Sequence, residues 1–196
     1  MNYVNQFLNF ISDGLLLPAV TIEIFLLFWA LWSFGGFTRE IWQRLRGSRA
    51  VRDFILLAPT VSDWSSEIEK LPEGQFKAAA RSLRESHHDR RIAAHRLNLF
   101  ESVCQKELDR ARMLTRLGPI LGLMGTLIPK GHALGQLALG DVSAMTRNLQ
   151  VAFANTVVGL FIGAIGFVIQ QGRQRWYKQE MDALDYLYNL IFEGEG

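Results

Sequence analysis

The sequence predicts an all-α integral membrane protein, with three transmembrane helices and long cytoplasmic helical extensions. Two observations carry this. First, 49% of the 196 residues are hydrophobic and 20% are charged, yet the two kinds are segregated along the chain. Residues 14–37 hold one charge, Glu23. Residues 117–140 hold Lys130 and His132, and residues 148–171 hold no charge. A helix needs about 20 apolar residues to cross the hydrocarbon core at ~1.5 Å of rise each, and all three stretches are long enough. Second, the basic residues sit where topology signals belong. Arg39, Arg44, Arg46, Arg49 and Arg52 follow the first stretch, Arg110, Arg112 and Arg116 precede the second, and Arg173, Arg175 and Lys178 follow the third. Residues 1–13 carry no Lys or Arg, and the turn between the last two stretches carries only Arg147. The positive-inside rule then sets the N-terminus and that turn outside, with residues 38–116 and the C-terminal tail in the cytoplasm. An odd number of spans agrees with termini on opposite sides.

The expected organisation follows. Residues 1–37 form an extracytoplasmic N-terminus and first transmembrane helix, 38–116 a cytoplasmic helical region, 117–171 the second and third transmembrane helices, and 172–196 a cytoplasmic C-terminal helix. The N-terminus has neither a basic n-region nor a small-residue cleavage site after the first span, so that span reads as a retained anchor. Beyond it, Pro59 and Pro72 interrupt the chain, because proline is a poor helix-interior residue. A short helix is expected after Ser62, with Asp63, Glu67 and Glu69 favouring its early turns. Another is expected over residues 75–86, with Phe76, Ala79, Ala80 and Leu83 on one side.

From about Ile92 no breaker occurs until Gly118, so a cytoplasmic helix runs straight into the second span. Phe100, Cys104, Leu108, Ala111 and Leu114 form an apolar stripe along it, and Tyr177, Met181, Leu184, Tyr188 and Ile191 form a matching stripe in the tail. The two stripes are expected to pack together in a helical bundle. Cys104 is the lone cysteine, which excludes an internal disulfide and fits a small buried apolar residue.

The last two spans carry the polar features. Gly118, Gly122, Gly125 and Thr126 share one face of the second, while Ala152, Thr156, Gly159, Gly163 and Gly166 share one face of the third. Small residues four apart let helices approach closely in lipid. Each span has one threonine, Thr126 or Thr156, whose hydroxyl either faces a polar path or bonds back to a carbonyl one turn earlier. Pro129 cannot donate to the carbonyl of Gly125. That acceptor needs water or a neighbour, since freed backbone at membrane depth is tolerated only against protein or a hydrated cavity. Asn155 supplies further polarity or an interhelical hydrogen bond.

The run from Gly118 to Pro129, GPILGLMGTLIP, followed by LQVAFANTVVGLFIGAIGF from Leu149 to Phe167, resembles the paired signature of the MotA/TolQ/ExbB proton-channel family. The resemblance implies an oligomer, a ring of five subunits in the plasma (inner) membrane. The ring surrounds single-span partner subunits that carry an ionisable aspartate. It also implies that Thr126 and Thr156 belong to the ion path, with Asn155 beside them. Gly122, Gly125, Gly159 and Gly163, with Gly118 in the helix contact, would leave the partner helix room to turn. Ion flow would then drive a flagellum, outer-membrane transport or envelope upkeep. One departure stands out: the ExbB and TolQ branches carry a glutamate five residues before the threonine of the last span, where this chain has Val151. The alternative reading is a non-conducting membrane scaffold whose polar residues serve assembly alone.

Two intramembrane charges remain. Glu23 and Lys130 both fall in the outer half of the membrane, where a charge costs on the order of 2.5–3.5 kcal/mol at mid-depth. They are expected either to pair, within one subunit or between neighbours, or to part, with Lys130 snorkelling to the interface beside His132. His87, His88 and His95 match no compact zinc spacing, so no metal and no other cofactor is expected. No hydrolase, metalloprotease, phosphate-loop or dinucleotide fingerprint occurs, which speaks against an enzyme. A net charge of +2 gives no reason to expect nucleic acid. A solute carrier would show more spans and internal inverted symmetry.

Overall fold

The computed structural model describes residues 2–57, 68–69, 71 and 74–193, with side-chain surroundings for 14–44, 68–69, 71, 74–131 and 133–192. Among the described residues four helices account for most of the regular structure: α1 (Asn2–Leu57), α2 (Gln75–Glu85), α3 (Arg90–Ala138) and α4 (Val142–Glu193). The expected all-helical class is found. Of the short helix expected after Ser62, the described residues include only Ile68 and Glu69, which are helical; the rest of it, Pro59 and Pro72 lie outside them.

Local chemistry explains the ends of the long helices. Asp89 Oδ1 accepts from the backbone N–H groups of Arg91 and Ile92 at 2.8 and 3.3 Å, capping the start of α3. α3 ends in a Schellman turn. Gly140 takes a φ of 78°, Gly140 N donates to Leu137 O, and Asp141 N donates to Gln136 O, each at 3.0 Å. A Cβ would be strained at that φ, which is the reason for glycine there. Asp141 then caps α4 by accepting from Ala144 N at 2.9 Å. A reversal of a few residues therefore joins two helices of 49 and 52 residues.

Among the described residues two helices have stretches long and apolar enough to cross a membrane, Gly14–Arg44 and Val142–Phe192. This corrects the expectation of three. The stretch from Leu117 to Gly140 falls short because its glycines, Pro119, Pro129, Lys130 and His132 dilute its leucines and isoleucines.

The chain forms two compact units. The first comprises Met1–Gly35 and Arg110–Gln170. Its buried residues include Ala19, Glu23, Leu26 and Ala30 of α1, Leu114, Thr126 and Ala133 of α3, and Ala152, Ile162, Ile165 and Ile169 of α4. Its outer surface is strongly apolar: Phe25, Phe28, Trp32, Leu123, Leu127, Phe153, Val157 and Leu160 are all exposed. Apolar surface on this scale marks a face that lipid or protein covers.

The second unit comprises Gly36–Asp109 and Gln171–Gly196. Its core joins Phe76, Ala80 and Leu83 of α2, Phe100, Cys104 and Leu108 of α3, and Tyr177, Leu184 and Leu187 of α4, with Met181, Tyr188 and Ile191 against it. Phe100, Cys104 and Leu108 of one expected stripe thus meet the other stripe within this unit, while Ala111 and Leu114 belong to the first unit, and α2 covers the contact with the face expected of it. An ionic network links three helices. Arg173 donates to Glu40 at 3.1 Å and to Glu107 at 2.9 Å, while Arg44 reaches Glu40 at 3.1 Å and also pairs with Glu180. The Arg44 guanidinium stacks 4.8 Å from the Trp176 ring centroid.

Candidate ion-pathway site

The site is built on the contact between α3 and α4 in the first unit. The glycines let two backbones touch. A Cβ added at Gly118 would stand 2.7 Å from the carbonyl oxygen of Gly159, and one at Gly122 would stand 3.0 Å from Gly159 Cα. From the other side, a Cβ at Gly159 would lie 2.6 Å from Gly118 O, and one at Gly163 2.8 Å from the Pro119 ring. No side chain larger than hydrogen fits without moving a helix. The space these residues leave is filled by the opposing helix, so in one chain it offers no clearance for a third helix. Gly131 and Gly135, by contrast, face open space.

At one level of this contact the polar groups converge. Pro129 removes the N–H that would serve the carbonyl of Gly125. Asn155 supplies the replacement, its Nδ2 donating to Gly125 O at 3.1 Å. A Cβ at Gly125 would sit 2.9 Å from Asn155 Nδ2, so the glycine also makes room for the amide. Sequence reasoning marked both the freed carbonyl and the asparagine, but not that one satisfies the other.

The two threonines differ. Thr126 is buried to 3% exposure and its hydroxyl donates back to Leu123 O at 2.8 Å. It does not open onto the surface of a single chain. Thr156 is half-buried, and its hydroxyl lies 3.5 Å from Ala152 O. That is too long for a good O–H···O bond, which leaves the hydroxyl available to another acceptor or to a cation.

The profile of the MotA/TolQ/ExbB proton channel family matches residues 67–185, more than half of the chain. The chain belongs to that family. No curated protein and no solved structure matches it significantly. In this MotA/TolQ/ExbB chain the family match takes in α2, α3 and most of α4, and so includes the whole α3–α4 contact. Val151 is exposed.

The remaining candidates are Glu23 and Lys130, which the chain does not bring together. Glu23 is 2% exposed and lies against the backbone N–H of Gly159 on α4. Its Oε1 is enclosed without a hydrogen-bond partner. Lys130 is exposed, and among the described residues no ion pair links it to Glu23. A neighbouring subunit's lysine would have to reach a carboxyl covered by its own chain. Sequence reasoning noted Glu23 as a charge to be neutralised. That it points at a glycine of α4 was not readable from spacing.

In the second unit, His87 and His88 lie against each other with ring centroids 3.6 Å apart. Among the described residues no three His, Cys, Asp or Glu side chains converge as a metal site would require.

Proposed function

We propose that this chain is an ion-conducting subunit of a membrane motor. It assembles as a ring around a single-span partner and couples ion flow to mechanical work rather than catalysing a reaction. The partner supplies an ionisable aspartate that takes up and releases the ion. The chain lies in the plasma (inner) membrane. The segment from Leu117 to Ala138, less apolar than the other two, is held backbone to backbone against α4 by its glycines.

The observation that carries this reading is the α3–α4 contact of a proton-channel family member, with its freed carbonyl, its asparagine and a loosely held hydroxyl on Thr156. A threonine hydroxyl can both accept a proton-linked hydrogen bond and ligate a cation. Thr156 stands at the path, and Thr126 backs it from within the helix pair. Each charge crossing 100 mV releases ~2.3 kcal/mol, so a few ions suffice for one conformational step.

The test is ion flux into vesicles holding the complex purified from membranes with its partner. Thr156→Val is expected to cut flux at least tenfold while the oligomer mass stays unchanged. A specific observation also favours the second reading, a non-conducting scaffold: Thr126 is buried and bonded to its own helix. If Thr126→Val and Thr156→Val weaken the oligomer and the unmodified complex passes no ions, the scaffold reading replaces the first.

A further inference from the structure

Glu23 is enclosed in a bundle that offers it no cation. α1 carries no other titratable side chain between Asp13 and Arg39, α3 none between Arg116 and Lys130, and α4 none between Arg147 and Arg173. Arg116, Lys130 and Arg147 are themselves exposed. Among the described residues no charged side chain of these three segments therefore faces the carboxyl. Oε1 has no hydrogen-bond partner, and the carboxyl lies at the backbone amide of Gly159 on α4. An ionised carboxylate left this way carries a large desolvation penalty, and a proton removes most of it.

The location gives that proton a use. Gly159 is four residues, about 6 Å of helix rise, beyond Asn155, whose amide holds the Gly125 carbonyl, and Thr156 lies between them in sequence. The amide, the half-buried hydroxyl and the backbone N–H that the carboxyl meets thus fall within about one turn of α4.

We propose that Glu23 is a proton-binding site of this chain, a carboxyl that accepts a proton from water in the path along α4 and returns it there. An O–H bond forms on the carboxylate as a hydrated proton gives up its proton to leave neutral water, and the reverse step restores both. Nothing is oxidised or reduced. The site lies on the ring subunit itself, separate from the aspartate assigned to the partner. The use of the proton rests on the ion-conducting reading above; its presence and exchange do not.

The experiment is an infrared difference titration of the full chain in lipid vesicles, wild type against Glu23→Gln. The expected result is a protonated-carboxyl band near neutral pH that is missing from Glu23→Gln, shifts in heavy water and disappears reversibly on alkaline titration. A wild type with no such band, or a band that neither exchanges in heavy water nor titrates, overturns the proposal. Should Glu23→Gln not assemble, Glu23→Asp serves instead, and the band must then move rather than vanish. With the partner present, Glu23→Gln is expected to lose flux at least tenfold, and unchanged flux would overturn the site's part in conduction. If the wild-type complex itself passes no ions, the conducting reading fails while the infrared result still decides whether Glu23 binds a proton.

Discussion

Asn155 on α4 donates its side-chain amide to the carbonyl of Gly125 on α3 at 3.1 Å, the acceptor that Pro129 deprives of its helical partner. Proline at 129 and asparagine at 155 therefore form one device. The proline frees a carbonyl at the helix contact, and the asparagine ties that carbonyl to the neighbouring helix instead of its own.

A double-mutant cycle checks this. Asn155→Ala strands the carbonyl and is expected to cost about 1–2 kcal/mol of stability in detergent or lipid. Pro129→Ala returns an N–H to the i−4 position, so in that background the cost of Asn155→Ala should fall by at least half. Equal costs in the two backgrounds would mean that the amide and the proline act independently.

The glycine contact makes a graded prediction. Gly159→Ala places a methyl 2.6 Å from Gly118 O and 2.7 Å from Gly122 Cα. Both neighbours are backbone, so the helices must separate, and a loss of about 1–3 kcal/mol is expected. Gly131→Ala meets nothing within 4 Å and should be neutral or slightly stabilising, since alanine is the better helix former. Thermal unfolding of the two variants side by side measures the difference.

These contacts show which parts of the structure were legible in the sequence. Periodicity located α2 within one residue of its observed end and marked Phe76, Ala80 and Leu83 as its buried side, because burial on one face repeats with the helical turn. It also paired the Phe100–Leu108 and Tyr177–Leu184 stripes. It placed the start of α3 two residues late, since the start is set by Asp89 capping and not by apolar spacing. Arginines 44 and 173 read as topology markers, and their roles in a three-helix network depend on which residues meet in space. The same limit applied to Glu23. One dimension shows a charge in an apolar stretch, but not the backbone amide on another helix that it meets. Over residues 117–140 glycine and proline serve packing at the expense of apolar character, so the length of that stretch overstates its fitness to span a membrane.

Cys104 carries a prediction about reactivity. Burial, with the nearby Glu180 adding to it, pushes its thiol up to about 11. A raised thiol holds its proton longer, so the thiolate, the reactive form, is scarce at neutral pH. Alkylation of the native protein should be slow at pH 7 to 8 and accelerate only as the pH nears about 11. In denaturant, where the thiol reverts to about 8.5, it should react within the ordinary range. Mass spectrometry of the alkylated fraction against pH checks this, and fast native labelling at neutral pH would show that the second unit's core opens readily.

The pair Arg44–Glu180 allows the sign of a pH effect to be worked out. Glu180 is 7% exposed, and one of its oxygens, Oε2, is enclosed without a partner. Burial drives the carboxyl above its ordinary range while Arg44 pulls it back. Arg44→Ala removes the opposing charge and raises the carboxyl further. A carboxyl held higher in the folded state than in the unfolded one favours folding when protonated, and that stability is lost as the pH rises through its folded value. The loss in Arg44→Ala should therefore be greatest at neutral pH, about 3 kcal/mol for a buried carboxylate robbed of its partner, and should shrink as the solution is acidified. Glu180→Gln in the Arg44→Ala background removes the charge altogether and should restore most of the stability and flatten the pH dependence. Unfolding midpoints of the single and double variants across mildly acidic to neutral pH measure both effects. A loss in Arg44→Ala that is independent of pH would place the arginine's contribution in its stacking on Trp176 and not in the ion pair.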